Sequence, residues 1–304
     1  MNGFHPSIRI VLAWTGWFLL SDATAQQKDI FFKVPISLRF SENAENPGSD
    51  SIYQDNAILK LPANYSKNGK PVRLVYMAHG AGGGVTDSTW FLNKFALKDS
   101  LLANGYAIFD VNGGPLVENM GGRWSVQSAF KAYRYIRKNF NVHEKIFVGG
   151  FSMGGCSSAN FVYRHSNIVI AHGMYSPVLD LYGQAWQNPW LRTTRKAIAE
   201  THNFRNKTGT VWEPESVKGW NPLLVSTFDN GEESVKTYPV PVKIWHGTGD
   251  RVVTISATRN FKKYIENGGG ECEVSEMDSD DHGLSCGSPE MNHELLLFFK
   301  RFGL

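Results

Sequence analysis

Apolar positions along the chain fall into short runs that alternate with helix-spaced stretches. From Asp29 to Phe40 and again from Asn56 to Leu61 the residues alternate or run β-branched and aromatic, with a polar, glycine-containing turn around 46–50 between them. This predicts two antiparallel strands. Val72 to Ala78 is apolar except for Arg73, as suits a central parallel strand covered on both faces. A helix over Trp90 to Leu102 stops at Asn104-Gly105, a strand over Tyr106 to Val111 follows, and a glycine-rich loop runs from Asn112 to Gly122. The next helix, about Ser125 to Asn139, places Val126, Phe130 and Tyr133 on one face and Lys131, Arg134 and Lys138 away from it. Ile146 to Val148 reads as a strand, Ala159 to Tyr163 as buried helix and Ile168 to Ala171 as a strand. That alternation is the signature of a parallel sheet with helices packed on it.

The rhythm breaks between about Tyr175 and Thr237. This stretch holds Trp186, Trp190, Trp212 and Trp220 with Tyr175 and Tyr182 but no strand period, and it reads as a cap inserted over the catalytic edge. Its aromatics have two open uses, stacking on a sugar or aryl group and forming the core of a small lid. The sheet resumes at Val240 to His246, a helix over about Ile255 to Asn267 ends in Gly268-Gly269-Gly270, and Glu271 to Ser275 is the last strand. A final helix opens with Ser288 as cap and Pro289 in its first turn, and shows Leu295, Phe298, Phe299 and Phe302 on one face.

Residues 1–25 stand apart: Arg9 supplies a positive start, Ile10 to Leu20 is almost wholly apolar, and Ala23-Thr24-Ala25 has the form of a cleavage site. A secretory signal peptide is expected, followed by one α/β domain over 26–304 in a secreted or periplasmic protein with no stable membrane insertion after cleavage. A net charge of +3 over 304 residues, with no nucleic-acid motif, argues against a nucleic-acid partner. Nothing in the sequence fixes the oligomeric state.

The chemistry centres on Gly150-Phe151-Ser152-Met153-Gly154. A serine in G-x-S-x-G between a strand and a helix is held on a sharp turn that lifts its hydroxyl clear of the sheet, and the glycines let strand and helix approach. Beyond the strand ending at Ala78 comes His79-Gly80-Ala81-Gly82-Gly83-Gly84, whose unobstructed N–H groups suit an oxyanion hole. The spacing fits neither G-x-G-x-x-G nor a P-loop. The N–H groups of Ala81 and Met153 are the candidate donors, and His79 is expected to be a structural hydrogen-bonder beneath the loop. Asp250 and His282 each follow a late strand. A serine needs a histidine to take its proton, and an acid to fix the imidazole tautomer, so Ser152, Asp250 and His282 form a candidate catalytic triad in the order nucleophile, acid, histidine. His165, His172 and His202 follow no late strand, and His246 and His293 read as structural. No metal or other cofactor is expected: H-E-x-x-H and cysteine–histidine zinc spacings are missing, and Pro289 stands where a calcium loop would need glutamate after Asp278, Asp280 and Asp281.

Taken together, Leu61-Pro62-x-Asn64-Tyr65, His79-Gly80, Gly150-Phe151-Ser152-Met153-Gly154-Gly155, His246-Gly247-x-Gly249-Asp250 and Asp281-His282-Gly283 resemble the α/β-hydrolases, in particular secreted carbohydrate esterases and the prolyl oligopeptidase catalytic domain. The resemblance implies a mostly parallel sheet flanked by helices and a serine hydrolase acting on a small-molecule or polysaccharide ester. A prolyl oligopeptidase-like peptidase and a catalytically silent ligand-binding homologue are the alternatives. The chain is short for the propeller of the oligopeptidases, which favours esters. Cys272 and Cys286 bracket the loop of His282, and both a disulfide in an oxidising compartment and two free thiols are open; Cys156 reads as a buried thiol.

Overall fold

The computed structural model describes residues 28–38, 52–85, 97–116, 118–187, 192–202, 219–224, 226–229, 232–235, 238–284 and 288–303. The expected signal peptide, the turn at 46–50 and the start of the helix expected from Trp90 lie outside these residues. Strands β1 (Lys28–Ser37), β2 (Ile52–Leu61), β3 (Arg73–Ala78), β4 (Tyr106–Val111), β5 (Ile146–Phe151), β6 (Val169–Tyr175), β9 (Val242–Gly247) and β10 (Cys272–Met277) form one sheet in the order β1-β2-β4-β3-β5-β6-β9-β10. β2 runs antiparallel to both β1 and β4, and every pairing from β4 to β10 is parallel. β2 begins at Ile52, earlier than the apolar pattern indicates. Its polar Asp55 is buried because the N–H of Gly113 and the hydroxyl of Ser128 donate to it.

The central strands β3 to β6 read as near-continuous apolar runs because both faces are covered. Along β3, Leu74, Tyr76 and Ala78 enter one core layer while Val75 and Met77 enter the other, and β5 divides in the same way between Ile146 and Val148 on one side and Phe147 and Phe151 on the other. Helices α2 (Arg123–Asn139), α3 (Met153–His165) and α6 (Ile255–Asn267) fill the first layer, with Ala129, Phe161 and Phe261 among the buried contacts. α1 (Leu97–Ala103) and α7 (Pro289–Phe302) fill the second. Phe299 of α7 meets Phe147 with ring centroids 4.5 Å apart, and burial of a side chain this large contributes about 2–3 kcal/mol. The Ser288 side chain caps α7 by accepting from Met291 N–H, with Pro289 in the first turn.

Between β6 and β9 the described chain forms α4 (Leu181–Gln187), α5 (Arg192–Thr201) and a hairpin of β7 (Ser226–Asp229) and β8 (Glu232–Val235). Trp190 and Trp212 lie outside the described residues. Trp220 is placed: its face carries the Arg164 guanidinium 3.6 Å from the ring centroid.

Cys272 is a free, buried thiol, and it opens β10 at the end of the strand opposite the loop of His282. Six residues of extended chain span roughly 17–20 Å, so Cys272 stands at the far end of β10 from the loop that follows it; Cys286 lies outside the described residues. Cys156 is also free and buried, and burial pushes its thiol well above the usual range.

Candidate active site

All parallel strands point their C-terminal ends to one edge of the sheet, so the segments after β3, β5, β6, β9 and β10 converge there. The segment after β5 is a single residue. Ser152 has φ 53 and ψ −120, a conformation that non-glycine residues avoid, and α3 begins at the next position. The glycines explain why the turn is possible. A Cβ on Gly150 would lie 2.3 Å from Gly154 O, and one on Gly154 would lie 2.1 Å from Ala78 O and 2.6 Å from His79 O. Strand, helix and the segment after β3 therefore touch backbone to backbone. Ser152 N–H donates to Tyr175 O at 3.0 Å, and Ser152 O accepts from Gly155 and Val178, each at 2.9 Å, which fastens the strained residue to its neighbours.

The structure brings Ser152, His282 and Asp250 together. His282 Nε2 is 2.8 Å from Ser152 Oγ, and His282 Nδ1 is 2.7 Å from Asp250 Oδ2. A carboxylate only accepts, so Nδ1 carries the ring proton and Nε2 is free to accept from the serine hydroxyl. Asp250 Oδ1 accepts from Val252 N–H at 2.8 Å and Val253 N–H at 3.0 Å. Burial alone would raise the Asp250 pKa. Hydrogen bonds from His246, His282 and the Val253 N–H overcome it and hold the carboxyl well below the usual range. The His282 ring also lies against Phe151, centroids 5.3 Å apart.

The two candidate oxyanion donors flank this serine. Met153 is the first residue of α3, so its N–H has no acceptor within the helix. Ala81 occupies the second position of a turn closed by Gly83 N–H donating to Gly80 O at 3.1 Å, which leaves its own N–H outside the turn bond. A Cβ on Gly80 would meet Phe151 at 2.8 Å, so the turn sits directly beside the serine strand. Below it His79 Nδ1 donates to Asp110 Oδ2 at 2.8 Å, with both side chains buried. Burial works to lower the His79 pKa, and the adjacent Asp110 charge and hydrogen bond raise it by more.

Among the remaining described histidines, three bond or stack outside this relay and one is an exception. His172 is fully buried between Tyr238 Oη and Ser158 Oγ, His202 Nε2 donates to Met120 O, and His165 stacks on Phe130. The exception is His246, whose Nε2 is 3.4 Å from Asp250 Oδ2. Its position four residues before Asp250 was visible in the sequence, but nothing local shows that the intervening turn folds back onto the ring. Among the described residues no group of three or more histidine, cysteine or acidic side chains is arranged to hold a metal ion, and no helix is long and apolar enough to cross a membrane.

Sheet order, the lone antiparallel β2 and a strained serine between β5 and α3 define an α/β-hydrolase fold. Solved structures agree. Pyrococcus horikoshii acylaminoacyl peptidase superposes with a TM-score of 0.66 at 16% identity over 91% of this chain and 42% of its own, so this chain spans less than half the length of that protein. S-formylglutathione hydrolase from Agrobacterium tumefaciens gives 0.61 at 11% identity over 92% of this chain and 97% of its own. Est1E from Butyrivibrio proteoclasticus gives 0.51 at 19% identity over 81% and 95%. No protein-family model and no curated protein matches the sequence.

Proposed function

We propose that this protein is an exported serine hydrolase that cleaves carboxylic esters through an acyl-enzyme on Ser152, with acyl or aryl esters of carbohydrates as its substrate class. The observation that carries the reading is the relay in which Ser152 Oγ, His282 and Asp250 stand at 2.8 and 2.7 Å around a strained serine. As His282 Nε2 takes the hydroxyl proton, the Oγ electron pair attacks the ester carbonyl carbon and the carbonyl π pair moves onto oxygen. The N–H groups of Ala81 and Met153 receive that oxyanion. Collapse re-forms the carbonyl and breaks the bond to the alcohol oxygen, which takes the proton from Nε2. Water repeats the sequence and frees the acid and Ser152. Asp250 stabilises the imidazolium in both halves without accepting its proton.

The carbohydrate class is supported by the aromatic residues of the stretch between β6 and β9, and by the motif resemblance. Peptide cleavage is the second reading, favoured by the acylaminoacyl peptidase neighbour, whose own chain is more than twice as long as the part matched. Export is supported by Arg9, the apolar run Ile10 to Leu20 and Ala23-Thr24-Ala25. A fluorophosphonate probe should label the protein, and Ser152→Ala should abolish labelling; a labelled mutant removes Ser152 from the mechanism. Side-by-side turnover of p-nitrophenyl acetate, a feruloyl ester, acetylated xylan and an aminoacyl anilide assigns the bond, with anilide cleavage alone favouring the peptidase. Mature protein recovered outside the cytoplasm should begin at Gln26.

A further inference from the structure

His246 lies in β9, four residues before Asp250, and is fully buried. Its Nδ1 lies 2.7 Å from Thr258 Oγ1 on α6, and its Nε2 lies 2.9 Å from Val253 O and 3.4 Å from Asp250 Oδ2. A carbonyl oxygen only accepts, so Nε2 bears the proton, and Nδ1 accepts from the Thr258 hydroxyl. One tautomer thus satisfies both ring nitrogens. The Nε2–H is directed at Val253 O with the carboxylate oxygen at its flank, a three-centre arrangement.

The oxygen it flanks is the one His282 uses. Asp250 Oδ2 accepts from His282 Nδ1–H at 2.7 Å, while Oδ1 is held by the N–H groups of Val252 and Val253. Residues 247–253 therefore wrap around the carboxylate, and the His246 ring closes the wrap by touching both its far carbonyl and the acid inside it. Backbone donors alone fix only Oδ1. A second donor on Oδ2 resists rotation of the carboxylate about Cβ–Cγ, including while His282 turns toward substrate.

We propose that His246 is a positioning residue of the Ser152 site, holding the Asp250 carboxylate in the orientation that His282 requires, with Thr258 selecting the tautomer that allows it. The inference rests on the serine-hydrolase reading above. It has two consequences. Without His246 the carboxylate loses one restraint, so the imidazole is less well aimed and acylation slows. The charge on Oδ2 also concentrates on the bond to His282, which favours the imidazolium and moves the acid limb of the pH profile to higher pH. Other charged groups around the relay are Asp278, Asp280 and Asp281 on the His282 loop, Arg251 beside Asp250, and the Arg259–Glu276 ion pair on α6 and β10. Substituting His246 leaves all of these in place.

The test compares fluorophosphonate labelling rates of the wild type, His246→Leu, His246→Gln, Thr258→Val and Ser152→Ala across about pH 5 to 9, with circular dichroism and thermal unfolding in parallel. His246→Leu should label on the order of 10- to 100-fold more slowly, with its acid-limb midpoint raised by about half a pH unit or more. His246→Gln, whose amide N–H₂ reaches near the position of Nε2–H, should restore most of the rate and the midpoint. Thr258→Val should fall between wild type and His246→Leu. A folded His246→Leu with wild-type rate and midpoint overturns the proposal, as does His246→Gln being as slow as leucine with its midpoint unmoved. Where leucine prevents folding, wild-type rate and midpoint in Thr258→Val overturn it. Loss of labelling in Ser152→Ala beside an unaffected His246→Leu removes only this inference, whereas persistent labelling of Ser152→Ala removes the serine-hydrolase reading and this inference with it.

Discussion

Replacing Gly154 by alanine perturbs the contact between the first turn of α3 and the end of β3. The added Cβ would stand 2.1 Å from Ala78 O, 2.6 Å from Ala78 C and 2.6 Å from His79 O, all backbone atoms. An ordinary carbon–oxygen contact is about 3.3 Å, so the two segments must separate by roughly 1.2 Å. No side-chain rotation can absorb this, because Ala78 lies in the sheet and Met153 opens the helix. The separation acts directly on the gap between the Ala81 and Met153 N–H groups. Misplacement by about 1 Å costs on the order of 100-fold in rate, and overpacking of this kind costs about 1–3 kcal/mol of stability. Fluorophosphonate labelling of Gly154→Ala should therefore slow by roughly two orders of magnitude, with the melting temperature lower by a few degrees. Gly269→Ala is the control: its φ is +78 with nothing within 4 Å of the new Cβ, so it should cost about 1 kcal/mol in backbone strain and leave labelling unchanged. A Gly154→Ala protein that labels within about twofold of wild type and melts normally would refute the claim that this approach sets the site.

Two further perturbations test the buried polar groups. Asp110→Asn leaves His79 without its carboxylate in a buried setting and should cost about 3–5 kcal/mol in urea unfolding; a loss below about 1 kcal/mol would show that the pair is not a structural support of the Gly80–Gly83 turn. His172 is held neutral by burial, its pKa lowered to about 3, whereas the unfolded chain binds that proton below about pH 6.5. Stability should therefore fall as pH drops from about 6.5 toward 3, by up to about 1.4 kcal/mol per pH unit from this residue, and equilibrium unfolding of His172→Asn should show a correspondingly shallower slope. An unchanged slope would assign acid sensitivity to other groups, such as His202, whose pKa burial lowers to about 4.

Strand ends and glycine turns were legible because they are local. The run into Gly150-Phe151-Ser152, the glycines after Ala78 and the acidic strand end at Asp250 each bring their constraint within a few residues. α5 was not recognised even though Thr194, Ala197, Ile198 and Thr201 are buried at helical spacing along it. Threonines and charges thin the apolar stripe, and helix propensity there is weak. The early start of β2 depends on Asp55 finding donors at Gly113 and Ser128, and the link from His246 to Asp250 on residues 247–253 folding back through Val253 O. Both are decided by partners that no local pattern encodes.

The 130 residues that separate Ser152 from its imidazole partner bear on how the protein comes to life. The nucleophile turn needs only β3, β5, β6 and the first turns of α3, all of which lie before the stretch between β6 and β9, so their contacts can form without the C-terminal part of the chain. The base arrives on a segment that must first cross the whole stretch between β6 and β9 and then align β9 and β10, a closure of high entropic cost and slow onset. A half-collapsed chain would carry a strained but chemically ordinary serine. The assembled relay is thus the last feature acquired during refolding, and recovery of fluorophosphonate labelling should trail the return of compact structure.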